Sequence, residues 1–294
     1  MNNLLNSPFM PILAPCVGAG AVLGIAARLP KLAFLARLAP PILFLLAFYM
    51  TYQQVPDFPP IGAPNKIFYV ALFATVLGAL VDIATSRSSG AQSSTRHVFA
   101  AALVAISAAF WIAQPRFADP DLAFALTFMG LALGAAATLW RLTIIADAAP
   151  PKGGAFVATC LLAVLCAAYA PLGLFGASLT SVGLCLGLTV GLVVFAIVMA
   201  SAPRPLGATA ILGAGGGLAA TVFTVVFISR ATDYLILPLL LVVLAFGEIA
   251  GRLAAMTGHA TPWRVGLCIA VLAAVLIALI SGSLFLRHQN PLNI

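Results

Sequence analysis

Leu161-Leu162-Ala163-Val164-Leu165-Cys166-Ala167-Ala168 contains no strongly polar side chain, and its reading decides the fold class. A strand of a transmembrane barrel alternates lipid-facing apolar with lumen-facing polar residues over about ten positions. This stretch has no polar face to turn inward. In hydrocarbon, every backbone N–H and C=O must be satisfied within the segment, which a helix achieves alone. The expected fold is all-α.

The rest of the chain extends the same reading. Of its 294 residues, 63% are hydrophobic and only 7% charged, against about 25% charged in soluble domains. Mean hydropathy is +1.15. That composition cannot build a water-soluble surface, so the expectation is a polytopic integral membrane bundle. A span needs about 20 apolar residues. About ten stretches qualify: Pro11–Ala27, Leu38–Thr51, Ile67–Ala84, Val98–Ala113, Leu122–Leu139, Ala155–Leu172, Ala177–Ala200, Ala208–Ile228, Tyr234–Ala250 and Val265–Leu286. Leu38–Thr51 is short and begins beside Pro40-Pro41, which makes a re-entrant segment its competing reading.

Orientation follows from the cations, because Lys and Arg loops stay cytoplasmic. The odd connections hold Arg28, Lys31, Arg37, Arg87, Arg96, Arg141, Lys152, Arg204, Arg252 and Arg264. The even connections and tails hold Lys66, Arg116, Arg230 and Arg287, balanced by Asp57, Asp119, Asp121 and Asp233. Asp82, Asp147 and Glu248 fall on the cation-rich side, so the net charge of +7 belongs to one face. That face is expected to be cytoplasmic, with both termini outside and the protein multi-pass in a bacterial inner membrane. Tyr49, Tyr52, Phe68, Tyr69, Trp111, Tyr169 and Tyr234 then lie near outer ends, and Trp140 and Trp263 near inner ends, as interfacial anchors.

The same survey excludes several functions. Cations spread one to three per loop suit lipid headgroups, so no nucleic-acid partner is expected. Met1–Pro11 lacks a charged n-region and does not read as a signal peptide. No connection exceeds about 15 residues by the span lengths above, so 1–294 is expected to be one membrane domain. Cys16, Cys160, Cys166, Cys185 and Cys268 lie in apolar spans without a CxxC pair and should pack as small apolar residues. His97, His259 and His288 fall in connections or the tail, as solvated residues. No intramembrane histidine offers a haem ligand, and no cofactor or metal is expected. Gly176-Ala177-Ser178 resembles the GxS of rhomboid proteases, but Ser178 and His259 fall on opposite sides of the bilayer and cannot meet as nucleophile and base.

Ionisable residues within a bilayer are functional candidates by default. Asp82, Arg141 and Glu248 come nearest, towards the inner ends of spans three, five and nine. Glu248 and Arg252 are four apart on one helical face and can pair; Asp82 and Arg141 would complete an inward-facing polar vestibule if the bundle gathers those helices. The competing reading is interfacial anchoring. Ala245-Phe246-Gly247-Glu248-Ile249-Ala250-Gly251-Arg252 resembles a segment of the membrane anchors of DMSO reductase-type enzymes. Those anchors oxidise quinol, so the resemblance implies quinone as a ligand; the anchors' loop motifs are missing here and no family residue is carried over.

Glycine supplies the other signal. Gly213-Ala214-Gly215-Gly216-Gly217 sits in span eight near Thr209, Thr221 and Thr224. Transporters often break a helix near the midplane to expose backbone to ligand, which makes Gly213, Gly215, Gly216, Gly217 and Thr221 candidate substrate contacts. The rival account is close helix packing at GxxxG spacing, which recurs at Gly20/Gly24, Gly130/Gly134 and Gly183/Gly187/Gly191. The connection Asp147–Gly154 divides the chain into halves, 1–147 and 148–294, of five spans each. An odd number per half inverts one against the other, as in inverted-repeat transporters, although the halves share no evident residue correspondence.

The leading expectation is a permease-like protein for a small or amphipathic solute, without an ATPase of its own. One alternative is a non-catalytic or quinone-binding subunit of a larger membrane complex; glycine-rich helix faces could join the chain to such partners or, in either reading, to a second copy. The other is an enzyme acting on lipid headgroups at the cytoplasmic face, with Asp82 or Glu248 as base and Arg141 on phosphate; catalysis is the less favoured class. A water-accessible cavity reaching the centre beside span eight would favour transport, and a dry centre the subunit.

Overall fold

The computed structural model describes residues 9–86, 91–147, 154–175, 178–200 and 205–228, together with helical positions 269–271, 274 and 277. Among them all regular structure is helical. Eight helices follow the first eight expected spans: α1 Met10–Arg28, α2 Leu35–Tyr52, α3 Ala63–Thr85, α4 Ala91–Ala113, α5 Leu122–Asp147, α6 Gly154–Phe175, α7 Leu179–Met199 and α8 Gly207–Ile228. Seven helices are long and apolar enough to cross a membrane; the apolar helix in the region of α6, Ala155–Pro171, is shorter. The chain is a multi-pass helical membrane protein. Tyr234–Ala250 and almost all of Val265–Leu286 lie outside the described residues, as do Glu248, Arg252, His259 and His288.

Several helices outrun the apolar stretches that announce them. α4 begins seven residues before Val98 and α5 continues at least eight beyond Leu139, because polar residues can extend a helix into the interface. That extension corrects the reading of His97, which sits inside α4 and is only 3% exposed. α2 likewise starts at Leu35 and runs through Pro40 and Pro41, which are buried. Proline is tolerated where neighbouring helices cover the freed backbone. Here the ring of Pro41 fills the space beside Gly213, where a Cβ would come within 2.6 Å of it.

Helices sequential in the chain run antiparallel, and cross-helix contacts show which ends meet. Arg28 donates to the Val198 carbonyl, and Asp82 meets Ala208. At the opposite end Lys66 meets Trp111. One end therefore collects Arg28, Lys31, Arg37, Asp82, Arg96, Arg141 and Asp147, and the other Asp57, Lys66, Arg116, Asp119 and Asp121. The Lys66 end is also the aromatic one. Phe117 meets Phe124 at 5.2 Å between centroids, and Phe124 meets Phe227 at 5.7 Å. The Arg116 guanidinium stands 5.9 Å over the Phe124 ring.

α8 forms the axis of the described bundle. Of its apolar window 83% is buried, against 22% for α1. It packs against α2, α3, α4 and α5, most extensively against α3. α1 instead lies along α7 through a seam of small residues, where a Cβ on Gly20 would fall 2.5 Å from the Gly191 carbonyl oxygen.

Candidate functional site

α3 carries two charges near its two ends, Lys66 and Asp82, sixteen residues or about 24 Å apart at 1.5 Å per residue. Both are buried, at 8% and 7% exposure, and each meets the terminus of another helix. Asp82 faces the start of α8. Its Oδ1 accepts from the Ala208 N–H at 2.7 Å, and its Oδ2 from the Thr209 N–H at 3.1 Å and the Thr209 hydroxyl at 2.5 Å. A helix N-terminus presents unpaired N–H groups and a partial positive charge, so a carboxylate from another helix serves it both ways. The local sequence Pro205-Leu206-Gly207 offers no Ser, Thr, Asp or Asn to cap α8. The cap comes from α3 instead.

Glycine makes this junction possible. Gly207 has φ +71°, and a Cβ there would fall 2.5 Å from the Asp82 carboxylate. On the α3 side, a Cβ on Gly78 would lie 2.6 Å from the Thr209 Cα. Backbone meets backbone, and the carboxylate fills the remaining gap.

Lys66 does the converse job. Its Nζ donates to the Trp111 carbonyl at 2.9 Å and lies 3.4 Å from Gln114 Oε1, at the C-terminal end of α4, where the helix dipole is negative. The pattern continues at the Asp82 end. Arg96 Nη1 donates to the Ala84 carbonyl at 2.6 Å, near the end of α3, and Arg28 to the last turn of α7. His97 Nε2 lies 3.1 Å from Asp147 Oδ2, close enough for an ion pair but without hydrogen-bond geometry.

Of the expected vestibule only Asp82 and Arg141 lie among the described residues, Glu248 and Arg252 being outside them. The hydrogen-bond partners of Asp82 described above are all on α8, and Arg141 is half-buried on α5. The glycine run does not break its helix: α8 is continuous from Gly207 to Ile228. Each glycine meets a different neighbour. An added Cβ would strike Pro41 and Thr75 at Gly213, Leu139 at Gly215, Ala74 and Val104 at Gly216, and the Phe44 ring at Gly217, all at 2.5–2.9 Å for the closest atom. Thr221 donates its hydroxyl to the Gly217 carbonyl at 2.9 Å within α8. Beside Gly215 a gap of about 30 Å³ remains between α5, α6 and α8, walled almost wholly by apolar side chains. Along the described glycine run the centre is closely packed and its lining apolar.

Open space lies elsewhere. A cavity of about 380 Å³ is bounded by α6, α7 and the helical residues within 269–277, with Phe156, Ala163, Ala196, Ile269 and Ile277 in its wall. Among its described lining residues the one hydroxyl is that of Thr189, which donates to the Cys185 carbonyl at 2.7 Å. Among the described residues no three His, Cys, Asp or Glu side chains gather as metal ligands. Cys16, Cys160, Cys166 and Cys185 are free thiols. Ser178 caps α7, accepting from the Ser181 N–H at 3.4 Å and sharing a 2.7 Å hydrogen bond with the Ser181 hydroxyl.

Sequence reasoning missed the Lys66 contact and the α6–α7 cavity. A signal for the first was present: a lysine in the opening turn of a helix opposes that helix's own dipole and calls for the C-terminus of another. No local pattern marks the second. Compared with protein-family models, curated proteins and solved structures, the chain shows no match. Fold and geometry define a class only, a multi-pass α-helical membrane protein whose buried charges bind helix ends.

Proposed function

We propose that the chain is a permease-like protein of a bacterial cytoplasmic membrane that handles a small, amphipathic and mostly apolar solute, without an ATPase of its own. In this reading it has about ten spans and both termini outside. The supporting observation is the α6–α7 cavity, whose volume of about 380 Å³ lies within the roughly 300–1,000 Å³ of ligand sites. Its described wall is mostly aliphatic, with Cys160 and Thr189 as its polar side chains, and suits a hydrocarbon body. The solute therefore binds between α6 and α7 rather than at Gly213–Gly217. Purified protein in liposomes should pass amphipathic solutes from a panel, and the paired substitution Ala163→Phe and Ala196→Phe should return flux to the protein-free background. Undiminished flux with the cavity filled would sink this site.

A second reading, a non-catalytic or quinone-binding subunit of a membrane complex, draws on the sealed glycine contacts of α8, which suit a scaffold as well as a carrier. Extraction in mild detergent separates the two: a lone monomer or homodimer counts against the subunit. The headgroup-enzyme reading loses support at Asp82, because both its oxygens already accept hydrogen bonds from α8 and are poorly placed to take a substrate proton.

A further inference from the structure

A groove of about 440 Å³ runs between α3 and α4 at the Asp82 end, remote from the α6–α7 cavity. Leu77, Leu80, Val81 and Phe99 form its walls, with Thr95 and Arg96 beside its polar end. Leu80 is 58% and Phe99 69% exposed, so the groove opens on the face that a membrane would cover. From Ala84, where Arg96 is hydrogen-bonded, to Leu77 is seven residues of α3, or about 10 Å.

The groove is polarised along its length. A guanidinium is held at the helix-end level, where lipid headgroups sit, and the walls below it are purely hydrocarbon. Among the described residues, Arg28, Lys31, Arg37 and Arg141 share that end with Arg96, against Asp82 and Asp147, and Asp82 is already bonded to α8. Basic pockets between transmembrane helices take up anionic lipid headgroups, and an apolar channel beneath one accepts the acyl chain. A soluble anion would answer the cation excess of that end but leave Leu77, Leu80 and Phe99 uncovered, and a zwitterionic lipid would use the channel without answering that excess.

We infer that the α3–α4 groove binds one anionic phospholipid, its phosphate at Arg96 and an acyl chain along Leu80 and Phe99.

Full-length protein is equilibrated in detergent with equal phosphatidylglycerol and phosphatidylcholine, and retained lipid is counted by native mass spectrometry. One phosphatidylglycerol per chain is expected to persist in preference to phosphatidylcholine. Arg96→Gln should weaken retention roughly fivefold, the equivalent of about 1 kcal/mol for one basic residue near an anionic leaflet. Leu80→Trp, which fills the channel and leaves Arg96 in place, should weaken it at least as much. Arg28→Gln removes a charge that caps α7 at the same end but does not line the groove, and should weaken retention clearly less than Arg96→Gln. Equal retention of the two lipids overturns the site, as does loss in Arg96→Gln without loss in Leu80→Trp, since charge alone is ordinary surface attraction. If Arg96→Gln fails to fold, Leu80→Trp decides: unchanged retention there overturns the inference.

Discussion

Asp82 has two oxygens and three donors to serve, two backbone N–H groups and one hydroxyl, all at the buried start of α8. Removing the acceptor leaves those donors without water to replace it. Asp82→Ala should therefore cost about 1–3 kcal/mol, the usual penalty for orphaned buried polar groups. It should appear as a lower thermal midpoint in detergent, whereas Asp57→Asn in the exposed 53–62 loop should not move it. Equal midpoints for Asp82→Ala and the parent would remove the cap from the account. The residue stands out in the sequence as a rare acid near a span's end. Its partner does not, because backbone donors 126 residues away carry no side-chain signature. The missing cap residue before Ala208 is the only local trace.

At the scale of elements, small residues decide how near two helices approach, and the consequence depends on what each faces. A Cβ on Gly78 would lie 2.6–2.9 Å from the backbone of Ala208 and Thr209, which cannot yield, whereas one on Gly18 would meet nothing within 4 Å. Gly78→Ala should force α3 from α8 and destabilise by about 1–3 kcal/mol, the range for overpacking; Gly18→Ala should be neutral or slightly stabilising, since alanine is the better helix former. Paired thermal melts check the contrast, and a Gly78→Ala protein as stable as Gly18→Ala would contradict the close α3–α8 contact. For the same reason Gly216→Leu is a poor probe of transport: it would press on Ala74 and Val104, and lost flux would report lost packing. The four-residue spacing of glycines is plain in the sequence. Which neighbour each one admits is not, and that separates a seam from a substrate path.

Across the whole molecule, alternation is the organising fact. Each described contact between helix ends joins ends that an up-and-down path brings to the same level: Arg28 to α7, Asp82 to α8, Lys66 to α4 and His97 to Asp147. In the proposed orientation the Asp82 end, with its excess of cations among the described residues, faces the cytoplasm, as the loop-charge rule expects. An alkaline phosphatase reporter fused after Ile294 should then be active, and a green fluorescent reporter there dark. The opposite result would reverse the orientation.

Helical class and the positions of the first eight helices were determined by the sequence itself, because apolar length and the demand for internal backbone hydrogen bonds leave hydrocarbon-embedded chain one local solution. So was the segregation of cations, which depends only on counting from loop to loop. Tertiary structure alone decided that α8 stands at the centre, that its glycines are sealed, that Lys66 and Asp82 clasp the ends of other helices, and that open volume lies between α6 and α7. In a chain this uniformly apolar every helix face reads alike; which face meets which neighbour is set by the fit of volumes and by unpaired backbone groups, and neither is written in residue type.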